Sequence, residues 1–159
     1  MNDYEFMLAK HDDIPEIVSI YHSLVGTPGC TWHLDYPSKE TAEFDIDNRW
    51  LYILKKHDKI IAVASAGDYG ELRDLQWKPQ KPCELMRIGV SPAFQKQGIG
   101  TIILQHIIRT AKEKGYDGMR FLVSKTNPAA LAMYDRNGFE RCGEIFRFDI
   151  DFYCYQIAF

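Results

Sequence analysis

The sequence predicts one mixed α/β domain, with seven strands and four helices in the order β-α-α-β-β-β-α-β-α-β-β. Three observations carry this. Strand-like and helix-like segments alternate along the chain, with no repeat, low-complexity tract or linker between them. Residues 98–114 are strongly amphipathic at helical spacing. The 159 residues, 46% apolar and 26% charged, suffice for one core and leave little room for a second, so residues 1–159 read as a single domain. A chain this long buries about 70% of its unfolded surface and needs no staple.

Residues 4–9 read as the first strand. Asp12 and Asp13 then signal a helix start, and Pro15 is tolerable in its first turn. Ile14, Ile17, Ile20, Tyr21, Leu24 and Val25 form one apolar stripe, ended by Gly26. Residues 26–37 are rich in breakers yet hold Trp32 and Tyr36, two aromatics suited to the border of a ligand site. Ser38 caps a short helix to about Asn48, and residues 50–56 and 59–66 make a hairpin turning at His57-Asp58. Residues 68–82 are polar and are expected to cross the surface.

Residues 84–90 form the next strand, with Gly89 inside it. A glycine there weakens the ladder and marks a bulge or a close approach of ligand to backbone. The helix over 98–114 places Ile99, Ile102, Ile103, Ile107 and Ala111 on one face and closes at Gly115. Residues 119–124 are the fifth strand, and Asn127-Pro128 opens the last helix, stopped by Gly138. The tail supplies two antiparallel strands around a turn near residues 146–150.

Nineteen Lys and Arg against twenty-two Asp and Glu give a net charge of −3. That balance argues against nucleic acid or an anionic membrane as the main partner and favours a small molecule. No apolar run approaches the ~18 residues of a membrane span, and the acidic start lacks the basic flank of a signal peptide, so a cytoplasmic location is expected. Cys30, Cys83, Cys142 and Cys154 are scattered, and His11, His22, His33, His57 and His106 lack ligand spacing, so no metal is expected. The thiols read as reduced and mostly buried.

The stretch Ser91-Pro-Ala-Phe-Gln95-Lys96-Gln97-Gly98-Ile99-Gly100-Thr101 lies between a strand and the amphipathic helix. The first amides of a helix lack intrahelical acceptors, the dipole adds partial positive charge, and glycines let an anion come close. Lys96 adds charge. Neither an NTPase loop nor a dinucleotide fingerprint fits, since no Gly-Lys-Ser/Thr follows and a third glycine is missing. By themselves the two glycines equally suit tight helix-strand packing.

Two blocks together are more specific. Gln95-Lys-Gln-Gly98-Ile-Gly100 resembles the Gln/Arg-x-x-Gly-x-Gly/Ala signature of the GNAT superfamily of N-acetyltransferases. Asn127-Pro-Ala-Ala130-Leu-Ala-Met-Tyr134-Asp-Arg-Asn-Gly138-Phe139 resembles the family's later Asn-x-x-Ala-x-x-x-Tyr-x-x-x-Gly-Phe helix. The blocks cover about residues 84–140, and the element order agrees elsewhere. The resemblance implies a mixed sheet whose central parallel pair, the fourth and fifth strands, splays apart to admit acetyl-CoA. Backbone around Ile88, Gly89 and Val90 would pair with the pantetheine arm, and amides of Gln95, Lys96, Gln97, Gly98, Ile99, Gly100 and Thr101 would hold the pyrophosphate. Asn127 would lie near the pantetheine or the thioester.

The implied activity is transfer of acetyl from acetyl-CoA to a primary amine of a small molecule or peptide, by direct attack in a ternary complex. By family position Glu84 is the candidate proton acceptor, directly or through water, and Tyr134 the proton donor to the departing thiolate. Trp32 and Tyr36 are candidate substrate contacts, with Tyr69 and Trp77 in nearby segments. Asp35, Asp68, Glu71 and Asp74 suit either a cationic amine or plain solvation. Cys83 as a nucleophile is disfavoured, because no His lies near it in sequence and direct attack needs none. Two alternatives remain: an acyl-CoA-binding sensor without turnover, and an interaction module using Phe152, Tyr153, Tyr155 and Phe159. Those aromatics equally suit core or homodimer contacts.

Overall fold

The computed structural model describes residues 3–159. The elements follow the predicted order: β1 (Tyr4–Leu8), α1 (Ile14–Leu24), α2 (Lys39–Asp47), β2 (Leu51–Lys56), β3 (Lys59–Gly67), β4 (Pro82–Val90), α3 (Ile99–Glu113), β5 (Gly118–Ser124), α4 (Pro128–Arg136), β6 (Glu140–Arg147) and β7 (Ile150–Ala158). All seven strands join one sheet in the order β1-β2-β3-β4-β5-β7-β6. Five neighbouring pairs are antiparallel and β4–β5 is parallel.

Local chemistry accounts for the boundaries. Ser38 Oγ accepts from the Thr41 amide at 3.3 Å to cap α2, and Asn127 Oδ1 accepts from the Ala130 amide at 3.2 Å to cap α4. The β2–β3 turn puts His57 and Asp58 at φ 50° and 63°, and the β6–β7 turn puts Phe148 and Asp149 at 57° and 59°. Two successive left-handed residues give the turn twist that matches paired strands. β4 starts at Pro82, two residues ahead of the sequence expectation, because Pro82 and Cys83 pair with Gly118 and Met119 of β5. Proline is tolerated at such a strand start.

The sheet is covered on both faces. On one, α3 buries Ile99, Ile103, Leu104, Ile107, Ile108 and Ala111 in a cluster with Leu54, Leu85, Phe121 and Tyr155, and Tyr134 and Phe139 join from α4 and its end. On the other, α1 buries Ile14, Ile17, Ile20, Tyr21 and Leu24 against Leu51, Ile53, Ile60 and Val63, with Ala42 and Ile46 from α2. Full burial of each such aliphatic side chain stabilises the fold by about 1.5–3 kcal/mol. Tyr155 lies wholly inside the first cluster and Tyr153 packs against it, while Phe159 stays exposed. Among the described residues no helix is long and apolar enough to cross a membrane.

Candidate active site

The parallel pairing of β4 and β5 is short. It joins Pro82, Cys83 and Glu84 to Gly118, Met119 and Arg120, and stops there. β5 continues along β7 to Ser124, while β4 continues along β3 to Val90. Between Val63 and Ser65 the register against β4 shifts from Gly89 to Met86, so β4 carries one extra residue, and Arg87 there sits at φ 50°. Such a bulge bends its strand, and β4 leaves β5 to form a fork. The splay predicted for the central parallel pair is therefore present.

Beyond the fork, β4 has an unpaired edge. The Ser91 amide donates to Ile61 of β3 at 2.8 Å, so by strand alternation the main-chain groups of Val90 face the opposite, open side. There the Val90 carbonyl accepts from the side-chain amide of Gln95 at 3.1 Å. Gly89 borders the bulge expected there and also has a packing reason to lack a side chain. A Cβ at this position would lie 2.7 Å from Leu24 Cδ1 and 3.3 Å from Trp32, so the glycine admits α1 and the Trp32 ring, and the bulge falls at Arg87.

The segment after β4 supplies a row of free donors. Gln95, Lys96, Gln97 and Gly98 are exposed, with Lys96 at φ 62° and Gly98 at 78°. The first bond of α3 runs from the Ile102 amide to the Gly98 carbonyl, and among the described residues no amide of 96–101 has an acceptor in the chain. Left-handed residues at a helix start turn successive N–H groups into one concavity, an anion cradle to which the helix dipole adds positive potential. Gly98 borders open space. Gly100 instead faces α4, where a Cβ would lie 2.9 Å from the Met133 sulfur, so its missing side chain serves helix packing. The side chain of Ile99 is core, which leaves only its amide for a ligand.

On the α3 side of the fork stands Tyr134, 3% exposed. Its ring packs 4.5 Å from that of Phe121, the first β5 residue past the last rung, and 5.8 Å from that of Tyr155. Tyr155 donates to Asp135, whereas the Tyr134 hydroxyl has no such partner among the described residues. Desolvation raises the Tyr134 phenol well above its ordinary value, so it remains a neutral donor. Asn127 spends its side-chain oxygen on capping α4, and its backbone meets Gly29 of the α1–α2 loop, where a Cβ would lie 2.8 Å from Asn127 Cα.

Glu84 occupies the last rung and is fully buried. Its carboxylate accepts from Arg120 Nε and Nη2 at 2.9 and 2.5 Å, and from the amides of Glu71 and Leu72 at 3.0 and 3.3 Å. Three of those donors share Oε2 and one reaches Oε1, and no part of the carboxylate is open to solvent. This arrangement does not suit the proton-accepting role expected of Glu84. Residues 68–81, nearly all of the stretch 68–82 expected as a surface crossing, are stapled over the last paired rung: Leu72 is buried, Trp77 lies over Arg120 at 5.8 Å, and the Lys78 amide donates to Gln156 at 2.9 Å. Asp74 pairs with Arg147 at 2.5 Å.

Trp32 and Tyr36 both reach β4. Trp32 meets Tyr21 edge-on at 5.6 Å beside Gly89, and the Tyr36 hydroxyl accepts from Arg87 Nη1 at 2.9 Å. Arg87 is the hub of a network that sequence reasoning missed. It grips the wholly buried Asp45 through Nε and Nη2 at 2.7–3.2 Å, and Asp45 also accepts from Ser65 and Tyr69 at 2.8 and 2.7 Å. Tyr69 is thus part of the scaffold. The signal was present: Arg87 and Arg120 interrupt apolar strands, and Asp45 lies three residues after Ala42 and one before Ile46, on the inward face of α2. Cys83 is buried and its thiol is pushed up to about 12 by desolvation, which keeps it inert.

Comparison with known proteins agrees with this geometry. Residues 17–139 match the Acetyltransferase (GNAT) family. Over 55 residues the chain is 36% identical to the [Ribosomal protein bS18]-alanine N-acetyltransferase of Escherichia coli K12, a stretch covering 35% of this chain and 37% of that enzyme. It is 26% identical to the L-methionine sulfoximine/L-methionine sulfone acetyltransferase of Pseudomonas paraeruginosa over 140 residues, 84% of this chain and 78% of that one. The fold is shared with Salmonella typhimurium YncA, solved with its cofactor acetyl-CoA: TM-score 0.78, 18% identity, 99% of this chain and 94% of that one. With the forked pair, the amide cradle and both sequence blocks in place along three quarters of its length, this chain belongs to the Acetyltransferase (GNAT) family.

Proposed function

We propose that the protein transfers an acetyl group from acetyl-CoA to a primary amine. The observation that carries this reading is the run of six unpaired amides at 96–101, set at the head of α3 beside the open edge of β4. The cradle suits a pyrophosphate. The Val90 edge suits the amides of a pantetheine arm, once the Gln95 side chain yields the carbonyl it holds, with Ile88 near the bulge and Asn127 at the far wall. Acetyl-CoA supplies an activated acyl group when bound there.

The chain's own part is to hold, exclude water and move one proton. A neutral amine attacks the thioester carbonyl, a carbon–nitrogen bond forms and the carbon–sulfur bond breaks. The Tyr134 hydroxyl gives its proton to the departing sulfur, a contribution worth about 10²–10⁴ in rate. The amine's proton leaves to water, through which Tyr134 is reprotonated. Trp32 and Tyr36 border the acceptor side. The relatives act on a protein alanine and on amino-acid analogues, which supports an acceptor whose primary amine is borne on the carbon adjoining a carbonyl or carboxyl group. Four free cysteines support a reducing, cytoplasmic setting.

Release of CoA thiol across a panel of amino acids, amino-terminal peptides and polyamines tests the reading. Turnover should appear with at least one amine, and Tyr134→Phe should lower kcat by about 10²-fold with little change in the KM for acetyl-CoA. Tight CoA binding without release for any amine, unchanged in Tyr134→Phe, identifies a sensor instead.

A further inference from the structure

We propose, resting on the acetyl-transfer reading, that Glu84 and Arg120 form a positioning pair: their contact fixes where β4 and β5 part, and so the depth at which thioester and amine meet, without taking the proton. The pair sits on the last parallel rung, Glu84 opposite Arg120. The side chains meet through two bonds to one oxygen, at 2.9 and 2.5 Å, with relative exposures of 1% and 9%. A charge pair closed to water, tied by two bonds to one oxygen, tolerates little change in strand separation.

The next residues on this face are Met86 and Leu122, half-buried and without polar groups to bridge the gap. One rung further there is nothing to hold the strands together, and the bulge at Arg87 carries β4 away. The same carboxylate also anchors the covering segment through the amides of Glu71 and Leu72, and Trp77 lies over the guanidinium. Strand fork and cover are therefore set by one group. A proton acceptor needs a lone pair within reach of the substrate, and Glu84 is sealed from solvent with three donors on Oε2 and one on Oε1.

Kinetics of the parent, Glu84→Gln, Arg120→Met and the double variant, from about pH 6 to 10, test the assignment. Each single change should lower kcat about 10- to 100-fold, as expected of a misplacement near 1 Å, and the double variant should be no worse than the poorer single. The acid limb should keep its midpoint in all four and move only when an acceptor of different amine pKa is used. Loss of that limb in Glu84→Gln, with Arg120→Met near the parent, makes Glu84 the base and overturns the proposal. A fall in thermal stability alone, with kcat and KM intact, overturns it as well.

Should the apolar changes prevent folding, Arg120→Lys keeps the charge and loses the two-bond contact. Its kcat should lie between parent and Arg120→Met, and amides of residues 118–120 should exchange hydrogen at least about tenfold faster than in the parent. Unchanged exchange overturns the proposal. Exchange is read without turnover, so a protein inactive on every amine but showing the faster exchange would fail the acetyl-transfer reading and keep the fork assignment.

Discussion

Tyr21 and Tyr134 are both buried phenols, and they differ in what surrounds the hydroxyl. The Tyr21 oxygen is sealed from solvent and is the one such side-chain atom without a partner among the described residues. An unsatisfied buried hydroxyl costs about 1–3 kcal/mol, so Tyr21→Phe should raise stability by up to about 1 kcal/mol. A higher urea midpoint with the same m-value reads this, and a lower one shows that the hydroxyl is satisfied in solution. Tyr134 sits at the fork, and its raised pKa keeps it protonated above the ordinary value of 10.0. Turnover should consequently show no alkaline fall from this group up to about pH 10. At this scale the motif residues were legible, because glycines and a tyrosine at fixed spacing announce themselves. The charges that organise the core were not. Asp45, Arg87 and Arg120 each look solvated until a partner 36 or 42 residues away is known, and nothing in a single sequence supplies that pairing.

The elements follow from local rules wherever their ends are capped or turned locally. α2, α4 and the His57-Asp58 hairpin were readable for that reason, with errors of one or two residues. Segment 68–81 was not, since its bonds run to Glu84, Gln156, Asp117 and Arg147, all distant in sequence. Gly89 and Gly100 were readable as unusual but not as to cause, because Leu24, Trp32 and Met133 come from other elements. Gly98 is the position where local and functional demands coincide, with a left-handed φ and open space beside it. Gly98→Ala should cost about 1–2 kcal/mol of stability and leave CoA affinity within severalfold, since the added methyl meets nothing. Gly98→Glu sets a carboxylate among the free amides and should weaken CoA binding at least about 100-fold by calorimetry, because it competes for the donors and repels the phosphates. Equal affinities in the two variants would mean that the cradle does not hold the anion.

Taken as a whole, the molecule carries an alkaline weakness that follows from where its fold puts neutral acids. Desolvation raises the phenols of Tyr21, Tyr69 and Tyr134 above 10.0 and the Cys83 thiol from 9.0 to about 12. Each group is protonated in the folded state at a pH where the unfolded chain has already lost the proton. The stability this contributes is complete below the unfolded values, near 9 for the thiol and 10 for the phenols, and is lost as pH rises toward the folded ones. Between those limits the unfolded state binds fewer protons, so unfolding becomes easier by about 1.4 kcal/mol per group and pH unit. A domain with a margin of about 5–15 kcal/mol then reaches its midpoint between about pH 10.5 and 12.5. Urea titrations at rising pH should show a midpoint that is flat to about pH 9 and falls steeply beyond 10, and Cys83→Ala should move the onset upward by about one unit. Cys83 and Tyr134 share the dry cluster under α3, so a flat midpoint through pH 11 would remove both the weakness and the physical basis of Tyr134 as a donor.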